Sequence, residues 1–330
     1  MFCLTGGHPP DIMAGAIGRF ALRQKTDQAA RTPAPPVPGG KTRVLVPVLA
    51  SAAAFGLALF HPAMGVQLNG WMIGAAIAAG MLEYLVWACL FFVLFWVVLG
   101  RLLRKRQISR RRWPRLTQVG REILFSLSSQ FMFLAVAVWL AFSDNWGLGN
   151  MYTGLGDYGY WWLGATVFLV LVIDDTWLYW SHRAMHHPVL FEKFHRVHHE
   201  SVDPTPFTAY SFHPLEAIVH GVGSLSVLLF ILVLPWHPAA IGMAATLQML
   251  FNVVGHLGYE VYPRGWNRLP VLRWKTPTLH HYMHHQRVGG NYALYFRWWD
   301  RICGTEFKDF EARYDRLFTG GAAPRKLAYD

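Results

Sequence analysis

The spacing of the histidines constrains the fold of this chain more than any other feature of its sequence. A His-x-x-x-His pair is followed by two copies of the pattern His-x-x-His-His. The pair is His182 and His186, and the triplets are His195, His198 and His199, and His281, His284 and His285. Because residues three or four apart share one face of a helix, each group predicts a helical segment with its imidazoles on one side.

Imidazoles are polar and unsuited to an apolar core, but neutral imidazole binds iron, copper, zinc and nickel well. These three groups hold eight histidines, more than the three or four protein ligands of a mononuclear zinc site. The spacing therefore predicts two metal ions close together. Five other histidines have no partner at such a spacing and are expected to be ordinary: His8, His61, His187, His220 and His237.

The distribution of apolar residues predicts a membrane protein. The chain is 53% hydrophobic, yet it carries a formal net charge of +11. A nucleic-acid-binding protein would not need the long apolar runs, each close to the roughly 20 residues that cross a bilayer. The runs cover residues 44–60, 71–99, 123–142, 158–180, 217–234 and 239–254. Glu83 interrupts the second run and is expected to face the interior of the helix bundle.

Basic residues predict how the chain is oriented in the membrane. Eight arginines and lysines lie in residues 101–115, between two apolar runs, whereas the loops 61–70 and 143–157 contain none. Cytoplasmic loops carry such an excess of positive charge. Counting spans from this loop places the N-terminus and all the histidine groups on the cytoplasmic side.

Four segments follow from these patterns. Residues 1–42 are polar and proline-rich and are expected to form a disordered cytoplasmic tail. Residues 43–142 form N-terminal transmembrane helices with the basic loop, residues 143–310 a catalytic domain, and residues 311–330 a C-terminal tail. Cys3, Cys89 and Cys303 show no paired spacing, so neither a disulfide framework nor a thiolate metal site is expected.

Other metal chemistries fit less well. A carboxylate-bridged di-iron bundle needs two Glu-x-x-His motifs, and only Glu192 and His195 form one. The His-Glu-x-x-His motif of zinc proteases is absent. Bis-histidine haem binding does not explain histidines in threes. Zinc storage or transport stays open, because imidazoles alone do not distinguish iron from zinc.

Further residues accompany the histidines between about residues 175 and 305. They are Asp175, Tyr179-Trp180, His213-Pro214-Leu215-Glu216, Asn291-Tyr292, Trp299-Asp300-Arg301 and Gly304-Thr305. Together with the histidine groups, this set resembles the fatty acid hydroxylase superfamily, the membrane proteins often called sterol desaturases. Ala293 departs from the family pattern, which usually has glycine after the Asn-Tyr pair.

The resemblance implies a dinuclear, histidine-ligated iron centre that activates O2 and oxidises a lipid. Asp175 precedes His182 by two helical turns and is expected either to accept the N–H of a ligand imidazole or to be a solvated carboxylate at the helix end. Asn252 precedes His256 by one turn and is expected either to assist catalysis by supporting a metal-bound water or to be a structural polar residue. His280 and His213 are expected to lie near the site without binding metal. The implied metal ligands are His182, His186, His195, His198, His199, His256, His281, His284 and His285.

We therefore predict an all-α membrane bundle of about four to six spanning helices with a cytosolic helical cap that carries the dinuclear site. The predicted function is O2-dependent hydroxylation of a membrane lipid or sterol. Desaturation by the same site and metal binding without turnover are the alternatives. The chain contains no haem-binding His-Pro-Gly-Gly motif, flavin fingerprint or four-cysteine iron–sulfur motif. Electrons are thus expected from an external donor, such as a ferredoxin or cytochrome with its reductase, and no nucleic-acid partner is expected.

Overall fold

The fold was analysed in a computed structural model that describes residues 70–142 and 150–319. Within these ranges the chain forms helices and loops, with isolated β-bridges and no β-sheet. The prediction of an all-α fold is confirmed. The first apolar run, residues 44–60, and the predicted N-terminal tail, residues 1–42, lie outside the described residues. Residues 320–330 of the predicted C-terminal tail lie outside them as well.

The described helices differ widely in length. The long ones are α1 (Gly70–Phe92), α2 (Leu116–Phe142), α3 (Tyr160–Met185), α6 (Pro214–Val233) and α7 (Pro238–Gly255). A π-helical segment, Val93–Val98, continues α1. The short ones are α4 (Pro188–Phe194), α5 (Arg196–His199), α8 (Thr278–Arg287), α9 (Trp298–Ile302) and α10 (Phe310–Thr319).

Proline defines where several of these helices begin. Pro188, Pro214 and Pro238 are the first residues of α4, α6 and α7. Proline suits this position because its fixed φ angle is helical and its missing N–H would have no partner there. His237 adds a cap to α7, since its Nδ1 accepts a hydrogen bond from the Ala239 N–H at 3.0 Å.

By length and composition, three helical stretches within the described residues can cross a membrane: Ile77–Val98, Tyr160–Met185 and Pro238–Gly255. They coincide with the predicted runs 71–99, 158–180 and 239–254. The predicted runs 123–142 and 217–234 lie within α2 and α6, which pack against each other in the same bundle. The structure thus supplies three candidate spans where the sequence predicted about four to six, with residues 44–60 outside the description.

The contact between α3 and α7 brings two histidine-bearing helix ends together. Val167 and Val170 of α3 pack against Ala240 and Ala244 of α7 in one buried cluster. Both alanines are fully buried, and their small side chains allow the two helices to approach closely. His182 in the last turn of α3 and His256 just after α7 are therefore held in the same region.

The basic segment between α1 and α2 lies against the loop that follows α5. The Arg110 N–H donates to Asp203 Oδ1 at 3.1 Å, and the Arg121 guanidinium donates to Glu200 Oε2 at 2.6 Å. Nearby, the Glu260 N–H donates to the Arg106 carbonyl at 2.9 Å. The cationic loop and the histidine segments consequently occupy the same end of the bundle.

Candidate metal centre

Nine histidines converge at this end of the bundle, in two groups. The elements that carry them are the C-terminal end of α3, the α4–α5 segment, the end of α7, and α8. The first histidine group is His182, His186, His195, His199 and His284, and the second is His198, His256, His281 and His285. Within each group the candidate ligand atoms all lie within 4.8 Å of one another. These are the nine residues that were predicted as metal ligands.

Each His-x-x-His-His triplet contributes to both groups. In α5, His199 belongs to the first group and His198 to the second, because adjacent helical residues point about 100° apart. In α8, His284 joins the first group, while His281 and His285 join the second. The repeated pattern therefore divides its imidazoles between two neighbouring sites.

The imidazoles of the first group face one another through their Nε2 atoms. His182 Nε2 lies 2.9 Å from His195 Nε2, and His199 Nε2 lies 3.0 Å from His284 Nε2. Metal–nitrogen distances of about 2.0–2.1 Å give nitrogen–nitrogen edges of about 3 Å around an octahedral ion. The spacing of these atoms is that of ligands around one metal ion.

The second group has the same arrangement. His256 Nε2 lies 3.1 Å from His281 Nε2 and 3.3 Å from His198 Nε2. His285 completes the group, and neither of its ring nitrogens has a hydrogen-bond partner among the described residues. A buried imidazole without partners on either nitrogen needs another ligand, which a metal ion would supply.

Hydrogen bonds at the far side of the rings fix which nitrogen carries the proton. Three Nδ1 atoms lie 2.7 Å from backbone carbonyls, which can only accept. Their Nε2 atoms are therefore unprotonated, and each faces the Nε2 atom of a neighbouring imidazole, where its lone pair is free to bind a cation. The chemistry of these donors fits a metal. The pairs are His182 with Tyr292, His284 with Gly290, and His256 with Asn252.

Among the described residues, Glu216 is the carboxylate that contacts a histidine of the two groups. Its Oε1 accepts from His195 Nδ1 at 2.5 Å, and the side chain is fully buried. A carboxylate on the second nitrogen of a ligand histidine orients the ring and raises its basicity. The sequence analysis quoted Glu216 in a family motif but gave it no role. The signal was its position in His213-Pro214-Leu215-Glu216, two residues into α6.

Burial keeps these imidazoles neutral. The loss of hydration lowers the pKa of His195, His198, His199 and His284 well below the ordinary value of 6.5, and neighbouring imidazoles lower it further. Burial lowers the pKa of His256 to about 4. Neutral imidazole is the form that coordinates metal, so the site is ready to bind at neutral pH.

The loop after α8 holds two of the carbonyl acceptors. Asp300 accepts hydrogen bonds from the N–H groups of Tyr292 and Ala293 at 3.0 and 2.8 Å, and from Thr305 Oγ1 at 2.6 Å. Asn291, at φ 55°, accepts from the Phe307 N–H through its side chain at 2.8 Å. These residues of the family pattern position the Tyr292 carbonyl against His182. Ala293 is not among the residues with positive φ, so alanine is unstrained there.

Asp175 makes different contacts from those expected. Its Oδ1 accepts from the Tyr295 and Phe296 N–H groups, both at 3.1 Å, rather than from an imidazole. The expected place on His182 is taken by the Tyr292 carbonyl. Since Asp175 is fully buried in α3, its hydrogen bonds connect that helix to the loop that follows the Asn-Tyr pair.

Asn252 lies beside the second histidine group in a cavity of about 310 Å³. The side chain is 3% exposed, and its Oδ1 has no hydrogen-bond partner within residues 70–142 and 150–319. Glu83 also lines this cavity, where it accepts from Thr246 Oγ1 at 3.2 Å. Histidines of both groups form one end of the cavity: His182 and His195, and His198, His256 and His281.

The remaining histidine candidates lie outside both groups. His280 is fully buried, with its Nε2 3.7 Å from Asp300 and 3.6 Å from Glu306, on the opposite side of α8 from the metal candidates. His213 Nδ1 accepts from the Leu215 N–H at 3.2 Å at the start of α6. His187 is exposed beside His186. Cys89 and Cys303 are unpaired, and Cys3 lies outside the described residues.

Comparison with known proteins agrees with this site. The fatty acid hydroxylase family model matches residues 167–305. Methylsterol monooxygenase 1 of Rattus norvegicus is 37% identical over 135 residues, which cover 41% of this chain and 44% of that protein. Methylsterol monooxygenase erg25B of Aspergillus fumigatus is 26% identical over 243 residues, which cover 72% and 81%. Lathosterol oxidase of Mus musculus is 30% identical over 191 residues, which cover 57% and 61%.

The chain covers less than two thirds of the length of the rat and mouse proteins. No solved structure matches this sequence. The matched residues 167–305 contain all nine histidines of the two groups, together with Glu216, Asn291 and Asp300. Residues 167–305, which carry both histidine groups, match the fatty acid hydroxylase family, and the similarity to methylsterol monooxygenases and a lathosterol oxidase supports the resemblance to the sterol desaturases.

Proposed function

We propose that this protein is an oxidoreductase that uses O2 and two iron ions to hydroxylate a C–H bond of a sterol or related membrane lipid. The observation that carries the proposal is the convergence of two histidine groups on one end of a membrane-embedded cavity. The named relatives add support, since they are methylsterol monooxygenases and lathosterol oxidases.

The first histidine group would hold one iron ion and the second group the other. Bound iron would supply the activation of O2, which no side chain performs as an acid or base. The protein orients its ligands through Glu216 and through the carbonyls of Tyr292, Gly290 and Asn252. Burial of the imidazoles excludes bulk water from the place where the substrate is attacked.

The cavity suits a lipid that enters from the bilayer. Gly80 of α1 and Ala245 of α7 line it, and neither has a bulky side chain to close the gap between these two helices. No heavy atom lies within 4 Å of where a Cβ at Gly80 would be. Both helices belong to candidate membrane spans, so this gap opens towards lipid rather than water. We infer that the substrate enters between α1 and α7.

Polar groups in the cavity favour a lipid that carries a hydroxyl group over a plain acyl chain. Ala245, Gln248 and Asn252 line the cavity from one face of α7, in line with His256. Asn252 Oδ1 is a buried acceptor without a partner among the described residues, so a substrate hydroxyl could donate to it. Apolar walls from Phe133, Trp177 and Met249 would contact the hydrocarbon.

Hydroxylation of one C–H bond consumes one O2, two electrons and two protons and releases one water. We propose that the electrons come from an external carrier, a ferredoxin or cytochrome with its reductase. We also propose that the histidine groups face the cytoplasm. The cationic loop contacts the segment after α5 through Arg110 and Arg111, and loops of this charge stay on the cytoplasmic side.

Lipid mass spectrometry of cells that express the chain, with its redox carrier, tests this proposal. We expect a sterol or other lipid that gains one oxygen, and no such product with the His284→Ala variant at equal expression. Loss of two hydrogens would instead identify a desaturase, in keeping with the lathosterol oxidase relative. If the lipids of the two strains did not differ, with both proteins present in membranes, the result would contradict the proposal. It would favour the alternative of a membrane protein that binds metal without turnover.

A further inference from the structure

A second pocket lies at the end of the first candidate membrane span, away from the cavity described above. Its volume is about 410 Å³, and the π-helical segment Val93–Val98 forms one wall while the basic segment forms another. Three guanidinium groups and three aromatic rings line it: Arg101, Arg104, Arg112, Trp96, Trp113 and Tyr259. The proposed oxidation chemistry uses none of these side chains.

The three arginines have no carboxylate partner among residues 70–142 and 150–319. The nearby acidic side chains are engaged with other residues. Asp203 accepts from the Arg110 N–H and lies 4.0 Å from the Arg111 guanidinium, and Glu200 pairs with Arg121 at 2.6 Å. Guanidinium groups favour phosphate, which accepts two parallel hydrogen bonds from one arginine. The pocket therefore presents concentrated positive charge to an anionic group.

One edge of the pocket lies at the end of a candidate membrane span. Val97 and Val98 line it and end the candidate span Ile77–Val98, with 55% and 63% of their surfaces exposed. Trp113 is 50% exposed at the same place, and tryptophan is enriched at membrane interfaces. A ligand with an acyl chain beside Val97 and a phosphate beside the arginines would fit both edges.

The inner wall of the pocket is rigid. The Trp96 indole N–H donates to the Leu257 carbonyl at 2.9 Å, and the Tyr259 ring packs perpendicular to it at 5.3 Å. A side chain at Gly100 would meet the Trp96 carbonyl at 2.6 Å, so the turn into the basic segment requires glycine. Leu257 directly follows His256, which connects this wall to the second histidine group.

We propose that this pocket binds the phosphate headgroup of an anionic membrane lipid. The concave shape and the lipid-facing valines favour a lipid over an acidic protein, which would need a broad exposed patch. The bound lipid would anchor the basic segment and brace the wall next to His256. This site is separate from the substrate cavity, and the proposal stands whether or not the protein hydroxylates lipids.

Native mass spectrometry of the full-length protein in detergent tests the proposal. The protein is titrated with phosphatidylglycerol or with phosphatidylcholine. We expect tighter binding of phosphatidylglycerol, and about a hundredfold weaker binding by the triple variant Arg101→Gln, Arg104→Gln, Arg112→Gln. A matched triple variant, Lys105→Gln, Arg110→Gln, Arg115→Gln, removes the same charge from exposed residues outside the pocket and should keep the preference.

A third variant, with lysine at the three pocket positions, should recover part of the preference, because charge is kept while the planar fork is lost. Equal losses in the two glutamine variants would overturn the proposal in favour of general surface charge. Equal binding of inorganic phosphate would identify a free-anion site instead. If the pocket variant kept its lipid preference but lost binding of an acidic ferredoxin, the pocket would be a protein-docking site, and the proposal would be wrong.

Discussion

The two histidine groups differ in how the protein supports them. In the first group, three imidazoles donate through Nδ1 to protein acceptors, and one of these acceptors is the buried carboxylate of Glu216. In the second group, only His256 has such a bond, to the Asn252 carbonyl. The Nδ1 atoms of His198, His281 and His285 have no partner among the described residues, whereas in the first group this holds for His199 Nδ1 alone.

The difference predicts that the first group forms a more rigid metal site than the second group. Five imidazoles, with three rings fixed and one made more basic, should hold a cation strongly. Four imidazoles, with one ring fixed, should hold the second cation less tightly. Both groups reach the substrate cavity, so the looser site also has room to rearrange when substrate or O2 enters.

The largest predicted effect comes from removing one ligand of either group. We expect His284→Ala and His285→Ala each to lower lipid oxidation by at least about a hundredfold, since a lost ligand costs more than a lost orienting partner. The groups should differ in metal retention, because His284→Ala leaves four imidazoles while His285→Ala leaves three. Product quantification and metal analysis of the same preparations would measure both effects.

His187→Ala is the matched control for these variants, because this exposed histidine adjoins His186 but belongs to neither group. Its activity and metal content should equal those of the unmodified protein. Equal metal retention by His284→Ala and His285→Ala would remove the proposed asymmetry between the sites.

The next largest effect is expected at Glu216. The Glu216→Gln variant keeps the size of the side chain but replaces the carboxyl group that bonds to His195, so metal should be released from the first group about 10–100 times more readily. Timed metal loss to a chelator would measure this. Glu200→Gln, which removes an exposed carboxylate paired with Arg121, should leave the rate unchanged. If metal release were unaltered in Glu216→Gln, the carboxyl group of Glu216 would not be the cause of the difference in metal binding between the two groups.

Asn252 offers a test of intermediate size on the side of the second group. Asn252→Ala keeps the backbone carbonyl that binds His256 and removes the side-chain amide, both the unpartnered Oδ1 in the cavity and the contact with the Tyr210 hydroxyl. We expect about a tenfold loss of turnover, the cost of one hydrogen bond to substrate, with metal content unchanged. Gln248→Ala, farther from the histidines along α7, should raise KM more than it lowers kcat. Loss of metal in Asn252→Ala would instead make this residue a support of the metal site.

Asp175 should give the smallest effect. Asp175→Asn retains an oxygen acceptor for the Tyr295 and Phe296 N–H groups but replaces the carboxyl group by a weaker acceptor, which predicts a stability loss of about 1 kcal/mol. Turnover per folded protein should stay within a few-fold. Thermal unfolding alongside activity would separate the two quantities. An inactive variant of normal stability would contradict this prediction and show that Asp175 takes part in the chemistry of the site.

Local patterns in the sequence were enough to predict the helices and eight of the nine converging histidines, while His256 was predicted from the family resemblance. Helical spacing determines which face a residue lies on, and proline marks helix starts such as Pro188 and Pro238. The acceptors behind the rings were harder to predict. The Tyr292 and Gly290 carbonyls are backbone atoms that any residue type could supply, and their position depends on how Asp300 folds the loop.

The contacts of Glu216 and Asp175 were not predicted because both are long-range in the sequence. Glu216 lies 21 positions from His195, and Asp175 lies 120 positions from Tyr295, so neither contact follows from helical periodicity. Asp175 was expected to bind an imidazole because it shares a helix face with His182. Tertiary packing placed the N–H groups of the α8–α9 loop against it instead.

Metal analysis tests the central claim most directly. Iron and zinc would be quantified per chain in protein that oxidises its lipid. We expect two iron ions per chain, with the more weakly held one removed first by a chelator. One metal ion per chain in fully active protein would contradict a dinuclear centre built from these two histidine groups.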